Sequence, residues 1–377
     1  MLDIKTLGER IKSIRKEKGL TQGELAEALS VSFQAVSNWE RGIAPPDLEN
    51  LMRLSEYFGV LMDDLLKEPR ELLYLGIDGG GTKTEFTVVN GEGAVLCQLT
   101  RQGCNPNDIS YGKMLAILVD GIREIRLSYP SLSAVFCGIS GVASGNYRER
   151  ALMDLKAEFP TLAFEVESDA MCLFGIDERV DIAMISGTGS VVFIKDGDKM
   201  HRIGGWGYLF DTAGSAYDMG RDAIICTLAE EDERRVGSLL RRMLLETLGV
   251  SAIRDAVGDL YREGKVRIAS LSTVVIEAYK QGDETAIQIV QNTAKRLATL
   301  LQIATEKYSA RPYAVASGGV IENNAEWMLP LIQKYTNVYI YLPDVPPVYG
   351  ACRCAVKITG CEGEQFYENF KRTYRGV

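Results

Sequence analysis

The sequence predicts a multidomain chain, a small all-α bundle followed by an α/β domain of two lobes. Three observations carry this. Residues 1–67 hold five short runs of helical periodicity separated by Gly, Ser and Pro. Beyond residue 72 apolar strand-like runs alternate with helical ones. A turn rich in glycine and hydroxyl side chains, set between two strands, occurs twice, at 79–84 and at 186–190. A length of 377 residues leaves room for two or three domains with sizeable cores.

In the first segment, 1–67, Leu7, Ile11 and Ile14 are spaced for the inner face of a helix ending at Lys18-Gly19. Thr21 caps a second helix over 22–29, and Glu24 is placed to complete a capping box. Ser30-Val31 turns the chain to Ser32, the cap of a third helix over 33–41 that Gly42 stops. Asp47 caps a fourth helix with Leu48, Leu51, Leu54 and Phe58 facing inward, and 61–65 adds a fifth. Two short capped helices joined by a tight turn within such a bundle make a helix-turn-helix.

The pattern Gly-Leu-Thr-Gln-x-Glu-Leu-Ala, then Val-Ser-x-x-x-Val-Ser-x-Trp-Glu-Arg-Gly, resembles the Cro/phage-repressor (XRE) family across the whole segment. The resemblance implies operator DNA as partner, with the third helix in the major groove. Phe33, Gln34, Ser37 and Asn38 would face base edges, Arg41 would join the DNA contacts, and Gln22 and Ser32 would meet phosphates. Gln and Asn suit adenine edges and Phe33 a thymine methyl, while Ala35, Val36 and Trp39 belong to the core. Nine Lys/Arg against eleven Asp/Glu give this segment a net charge of −2, so attraction to DNA must come from local placement. Arg10, Lys12, Arg15, Lys16 and Lys18 on the first helix are expected to lie along the phosphates. One module makes few contacts, which points to a homodimer on two half-sites.

A charged, Pro-bearing stretch at 68–71 reads as a short linker. After it, an apolar run ends in Asp78, and Gly79-Gly80-Gly81-Thr82-Lys83-Thr84 leads into a second strand. Consecutive glycines let main-chain N–H groups approach a ligand, Thr82 and Thr84 offer hydroxyl donors for phosphate, and Asp78 can hold a hydrated Mg²⁺. The stretch is one residue out of register with a Walker loop and is followed by a strand where that loop needs a helix. Strands are expected over 95–100, 133–139 and 163–167, helices over 111–128 and 148–159. A strand over 181–185 then enters Ser186-Gly187-Thr188-Gly189-Ser190, matching the first turn as a second copy of a nucleotide-holding hairpin. Residues 223–308 are helical in pattern, 313–316 and 338–342 are strands, and amphipathic helices open at 348 and 364.

In order, Asp-Gly-Gly-Gly-Thr-x-Thr, Ser-Asp-Ala, Ser-Gly-Thr-Gly-Ser, Gly-Gly-Trp-Gly, Ser-Gly-Gly-Val and Pro-Val-x-Gly-Ala resemble the BadF/BadG/BcrA/BcrD ATPase family, in its N-acetylglucosamine-kinase-like branch. The resemblance covers about 72–360 and implies two ribonuclease-H-like lobes of the actin–hexokinase–sugar kinase superfamily, lobe I at 72–178 and lobe II at 179–360. A C-terminal helix within 361–377 is expected to pack back on lobe I. It implies ATP and Mg²⁺ as cofactors and an amino sugar as ligand. Asp78 would sit on Mg²⁺ through water. Gly80, Gly81, Thr82 and Thr84 would face the β/γ-phosphates, with Gly187, Thr188 and Gly189 across from them and Gly318 and Gly319 near the adenosine. Asp169 would be the base that accepts a proton from the sugar hydroxyl, and Asn105, Asp169, Gly205, Trp206 and Asp211 would contact the sugar. One departure stands out. Sugar-kinase members carry Gly-Asp-Glu-Gly-Ser where this chain has Asp211-Thr212-Ala213-Gly214-Ser215, so an acidic pair is replaced and an Asp stands one position upstream.

Bulk properties narrow the classes. Net charge −9 argues against a general nucleic-acid coat but allows one small DNA-binding module. No apolar run reaches membrane-spanning length and no signal-peptide core is present, which points to the cytoplasm. The eight cysteines are scattered without a Cys-x-x-Cys, as free buried thiols would be. The functions expected are a DNA-binding regulator with an ATP-binding, sugar-kinase-like effector domain, or an active N-acetylglucosamine-type kinase with a regulatory helix-turn-helix. A dehydratase-activating ATPase, a third reading, needs cluster-ligating cysteines around the second glycine turn, and 186–190 has none.

Overall fold

The computed structural model describes residues 4–66, 72–197, 199–308, 310–360 and 362–376. The chain divides into two compact units, 1–72 and 73–377. The linker expected at 68–71 lies outside the described residues.

The small unit is built from α1 (Ile4–Glu17), α2 (Gln22–Ala28), α3 (Phe33–Glu40), α4 (Leu48–Phe58) and α5 (Met62–Leu66). Thr21 and Glu24 form a reciprocal capping box, and the Ser32 and Asp47 side chains accept the N–H groups of Ala35 and Asn50. Between α2 and α3 the chain turns through Ser30 in the left-handed region, φ 56°. Leu7, Ile11, Leu25, Val36, Trp39, Leu54 and Phe58 fill the core. Arg15 is buried as well, in a bidentate pair with Glu40. It is therefore withdrawn from the expected row of phosphate contacts on α1, because its guanidinium is already satisfied inside.

The large unit holds two five-stranded sheets of one topology. The first comprises β1 (Leu73–Gly79), β2 (Lys83–Asn90), β3 (Val95–Gln102), β4 (Leu132–Ile139) and β5 (Ala163–Glu167), in the order β3-β2-β1-β4-β5. The second comprises β6 (Ile182–Ser186), β7 (Ser190–Asp196), β8 (Lys199–Gly204), β9 (Tyr313–Ser317) and β10 (Tyr339–Tyr341), in the order β10-β9-β6-β7-β8. In each sheet three strands form an antiparallel meander, and the last two pair parallel beside its first strand. This is the ribonuclease-H-like arrangement in duplicate. Parallel strands need helical crossovers. Between β8 and β9 the crossover is a helical array running from Ala216 to Tyr308, which buries the largest core against the second sheet.

The last helix of each lobe packs against the other lobe's sheet, the first of them while also keeping Cys172 beside Phe136 of its own. Helix Ala170–Ile176 follows β5, yet Ala170, Leu173 and Phe174 pack with Ala183 and Val315 of the second sheet. Helix Pro347–Thr359 follows β10, yet Val348, Cys352 and Val356 pack with Tyr74, Val89 and Phe136 of the first. Its backbone lies close on β1, where a Cβ on Gly76 would be 2.5 Å from the Cys352 nitrogen. The lobe limits expected from chain order, 72–178 and 179–360, therefore do not describe the packing of helix Pro347–Thr359. Helix Phe366–Thr373 also covers the first sheet, through Phe366 and Phe370.

Candidate functional site

The exposed face of α3 is the candidate DNA-reading surface. Phe33 is 56% exposed. Gln34, Asn38 and Arg41 form a side-chain chain along it, Gln34 Nε2 to Asn38 Oδ1 at 3.4 Å and Arg41 Nη2 to the same oxygen at 3.0 Å. Ser37 is half-buried, and Ser32 is exposed at the N-terminus of the helix. Gln22 donates its amide to Glu40 Oε2 at 2.7 Å, so this end of its side chain points into the bundle rather than toward phosphate.

In the large unit, the first glycine turn closes with the Gly80 N–H donating to the Lys83 carbonyl at 2.9 Å. The turn is tied down by N–H donors from Gly103, Cys104 and Ser140 to the carbonyls of Thr82, Gly80 and Gly79. Gly81 and Thr82 stay exposed at its tip. Thr84 does not. It is fully buried and donates its hydroxyl to the Gln102 carbonyl at 2.8 Å, because β2 has already begun and the residue sits in the ladder beside β3. Thr84 is thereby removed from the phosphate donors expected from the sequence.

The second turn is backed by the start of helix Ala216–Asp232. The N–H of Ala216 donates to the Gly187 carbonyl at 2.9 Å, and Ser186 Oγ donates to the Gly214 carbonyl at 3.0 Å. That helix start is itself fixed by the buried Asp218, which accepts from the N–H groups of Gly214 and Ser215. Thr188 and Gly189 are exposed. Beside them Gly318 adopts φ 99° and lies against Ser186, where a Cβ would be 2.5 Å from the carbonyl oxygen. The Gly318 N–H is taken by Glu322, and Gly319 is the open position of this loop.

Asp78 and Asp169 are close enough to act on one another electrostatically. Burial, then Asp169 and Glu85, push the Asp78 carboxyl up to about 7, against the pull of Lys83. Asp169 is also raised, by burial, although its Oδ1 accepts from Ser168 Oγ and the Ala170 N–H, both at 3.0 Å, and Ser140 bonds it too. These hydroxyl and main-chain donors favour the ionised form of Asp169, against its burial. Carboxylate oxygens, those of Asp78 with Glu85 opposite it in the β1–β2 ladder, suit a hard divalent cation such as Mg²⁺. Among the described residues no three ligating side chains converge, and a hydrated Mg²⁺ carried mainly on phosphates needs only one or two carboxylates.

The residues expected to meet the sugar fall into two groups. Asn105 follows β3 and caps the short helix Pro106–Ile109, accepting from the Asn107 N–H at 3.0 Å, and lies against Gly141. Gly205, Trp206 and Asp211 belong to the loop after β8. Trp206 is 61% exposed, with the Arg202 guanidinium 4.1 Å from its ring centre. Asp211 Oδ2 accepts the Trp206 N–H at 3.1 Å, so the displaced acid braces this loop. Lys83, Glu85, Ser140 and Arg202 were not reached by sequence reasoning. Lys83 had a signal, as the lysine of the near-Walker pattern. The others are adjacent to the motifs but carry no pattern of their own.

Comparison with known proteins places these features. The BadF/BadG/BcrA/BcrD ATPase family pattern matches residues 75–355, and a helix-turn-helix pattern matches 11–65. An N-acetylmuramic acid/N-acetylglucosamine kinase of Clostridium acetobutylicum is 29% identical over 277 residues, 70% of this chain and 90% of that protein. The HTH-type transcriptional activator BcrR of Enterococcus faecalis is 45% identical over 58 residues, 15% of this chain and 28% of that one. A solved ROK-family transcriptional regulator, described as a homologue of the E. coli MLC protein, aligns over 98% of this chain and 97% of its own. Its TM-score is 0.50 at 13% identity, a likeness of fold.

Proposed function

We infer that this chain, which belongs to the BadF/BadG/BcrA/BcrD ATPase family, is a DNA-binding transcription regulator whose large unit binds ATP and an amino sugar. One observation carries the reading. A helix-turn-helix with an open α3 face shares its chain with two glycine hairpins, each between paired strands, and with the mutually interacting carboxylates Asp78 and Asp169. In this reading α3 meets operator DNA through Phe33, Gln34, Ser37, Asn38 and Arg41, and the chain acts as a homodimer.

Within the cleft, Gly80, Gly81 and Thr82 face the β/γ-phosphates from one side and Gly187, Thr188 and Gly189 from the other, with Gly319 near the adenosine. Asp78 holds Mg²⁺ through water, and the ion supplies charge neutralisation at the phosphates. Asp169 accepts the proton of the sugar hydroxyl, while Asn105 and the Trp206 loop hold the ring. Sugar binding draws the lobes together and changes operator affinity. Fluorescence anisotropy on operator DNA tests this: affinity should shift when Mg·ATP and N-acetylglucosamine-class sugars are added, and an unchanged titration would sink the coupling.

A second reading, a working kinase with a regulatory helix-turn-helix, is favoured by one observation, the retention of Asp169 with its Ser168, Ser140 and Ala170 donors. A coupled ADP-release assay across amino sugars separates the two. Sugar-dependent release marks turnover, and none marks a sensor.

A further inference from the structure

The first glycine hairpin carries a charge arrangement that its role as a main-chain phosphate holder leaves unexplained. In the β1–β2 ladder Glu85 is the direct partner of Asp78, so both carboxylates project from the same face. Glu85 is 2% exposed. Two like charges set opposite each other and out of water are unfavourable unless something holds them. Glu85 is held from two sides. Its Oε1 accepts the phenol of Tyr374 at 2.7 Å and lies 3.5 Å from the Thr87 hydroxyl. Its Oε2 faces the Lys83 ammonium at 3.4 Å.

Lys83 differs from Glu85 in exposure. Its side chain is about half open, at the base of the tip formed by Gly81 and Thr82. It is the one Lys or Arg between residues 73 and 90, and the second turn, 186–190, contains no charged residue at all. A polyphosphate entering between the two hairpins therefore finds one hairpin cation, beside two carboxylates that would otherwise repel it.

Tyr374 reaches Glu85 from the far end of the chain. It follows helix Phe366–Thr373, and its ring stacks on Phe370 with centroids 5.1 Å apart. Two further bonds fix the segment along β3: the Val95 N–H donates to Thr373 Oγ1 at 2.8 Å, and the Arg375 N–H donates to Gln98 Oε1 at 3.0 Å.

We propose that Lys83 is the side chain that meets the terminal phosphates of the nucleotide, that Glu85 aims its ammonium, and that Tyr374 holds Glu85 in position. Lys83 is the contacting group; Glu85 and Tyr374 are positioning residues. This rests on the ATP-binding reading above. It adds that Tyr374 and the helix before it belong to the support of the nucleotide site.

Calorimetric titration of the full-length protein with Mg·ATP and, separately, with AMP tests the chain of contacts. Lys83→Met should weaken ATP binding about tenfold or more, with AMP affected less than about twofold, because AMP lacks the phosphates concerned. Lys83→Arg should keep ATP binding within about threefold of wild type. Tyr374→Phe should weaken ATP binding about threefold alone and add nothing in the Lys83→Met background, the non-additivity expected of residues acting through one group. The proposal is overturned by full ATP binding in Lys83→Met, by equal losses for ATP and AMP, or by a Tyr374→Phe effect of unchanged size in the double variant. A wild-type protein that binds AMP and ATP equally also overturns it, while one that binds neither overturns the ATP-binding reading with it.

Discussion

The backbone of Gly350 passes so close to Cys172 that a Cβ on it would lie 1.8 Å from the Cys172 carbonyl oxygen. This is where the two exchanged helices, Ala170–Ile176 and Pro347–Thr359, cross. No side chain larger than hydrogen fits without moving one helix. Gly350→Ala should cost about 1–3 kcal/mol, the range for overpacking a well-filled contact, read as a lower urea midpoint for the large unit. Asp169 caps the first of these helices, so the variant should also weaken nucleotide and sugar binding.

Replacing Asp169 by Asn keeps the shape of the side chain and removes its basicity. If the cleft turns sugar over, Asp169→Asn should lower kcat by about 10²–10⁴-fold while Mg·ATP binding, measured by calorimetry, stays near wild type. Equal rates for the two proteins would exclude Asp169 as the base.

Arg15 and Glu40 make the small unit sensitive to the loss of one charge. Nη2 of Arg15 lies 3.0 Å from Glu40 Oε2, and the two side chains are 9% and 1% exposed. Glu40→Ala leaves a buried guanidinium without its partner, at a cost of about 3–5 kcal/mol. Hydrogen exchange should then show lost amide protection across 4–66 with the protection of 73–376 intact.

The same pair sets an acid limit. Burial pushes the Glu40 carboxyl up, but bonds from Arg15 and Gln22 and the charges of Arg15 and Lys12 outweigh it and leave it below the usual glutamate range. A carboxylate depressed in the folded state supports folding fully above the unfolded value, about 4.3, and loses that support as pH falls through the folded value. Protection of the small unit should therefore fall on acidification below about pH 4, and this acid-dependent part should vanish in Glu40→Gln.

On α3, Asn38 Oδ1 holds Arg41 at 3.0 Å and Gln34 at 3.4 Å. On operator DNA obtained by in vitro selection, Asn38→Ala and Gln34→Ala should each cost about 1–3 kcal/mol and relax sequence preference at one or two base pairs. Ser32→Ala should weaken all sequences alike. Anisotropy against selected and scrambled duplexes distinguishes these patterns.

Local chemistry made much of the fold legible. Thr21, Ser32 and Asp47 announce helix starts because short polar side chains compete for the first free N–H groups. The two glycine turns announce their strands because each interrupts an apolar strand-like run with a cluster of small and hydroxyl-bearing residues. What stayed hidden depends on distant partners. The burial of Arg15 is set by Glu40, 25 positions along the chain. Thr84 shares hydroxyl chemistry with Thr82, and only the point at which β2 begins turns it inward. The apolar faces of the two exchanged helices show that they are covered but not by which sheet. Lys83 and Glu85 sat inside a motif read for its glycines.

The helix exchange has a consequence for synthesis. The strands of the first sheet are synthesised well before helices Pro347–Thr359 and Phe366–Thr373, which cover the face that carries Tyr74, Val89 and Phe136. Until those helices are translated, the nascent chain presents an unfinished apolar surface, the kind on which chaperones act and from which aggregation starts. A stop codon placed before residue 347 should therefore yield insoluble protein rather than a shortened soluble one.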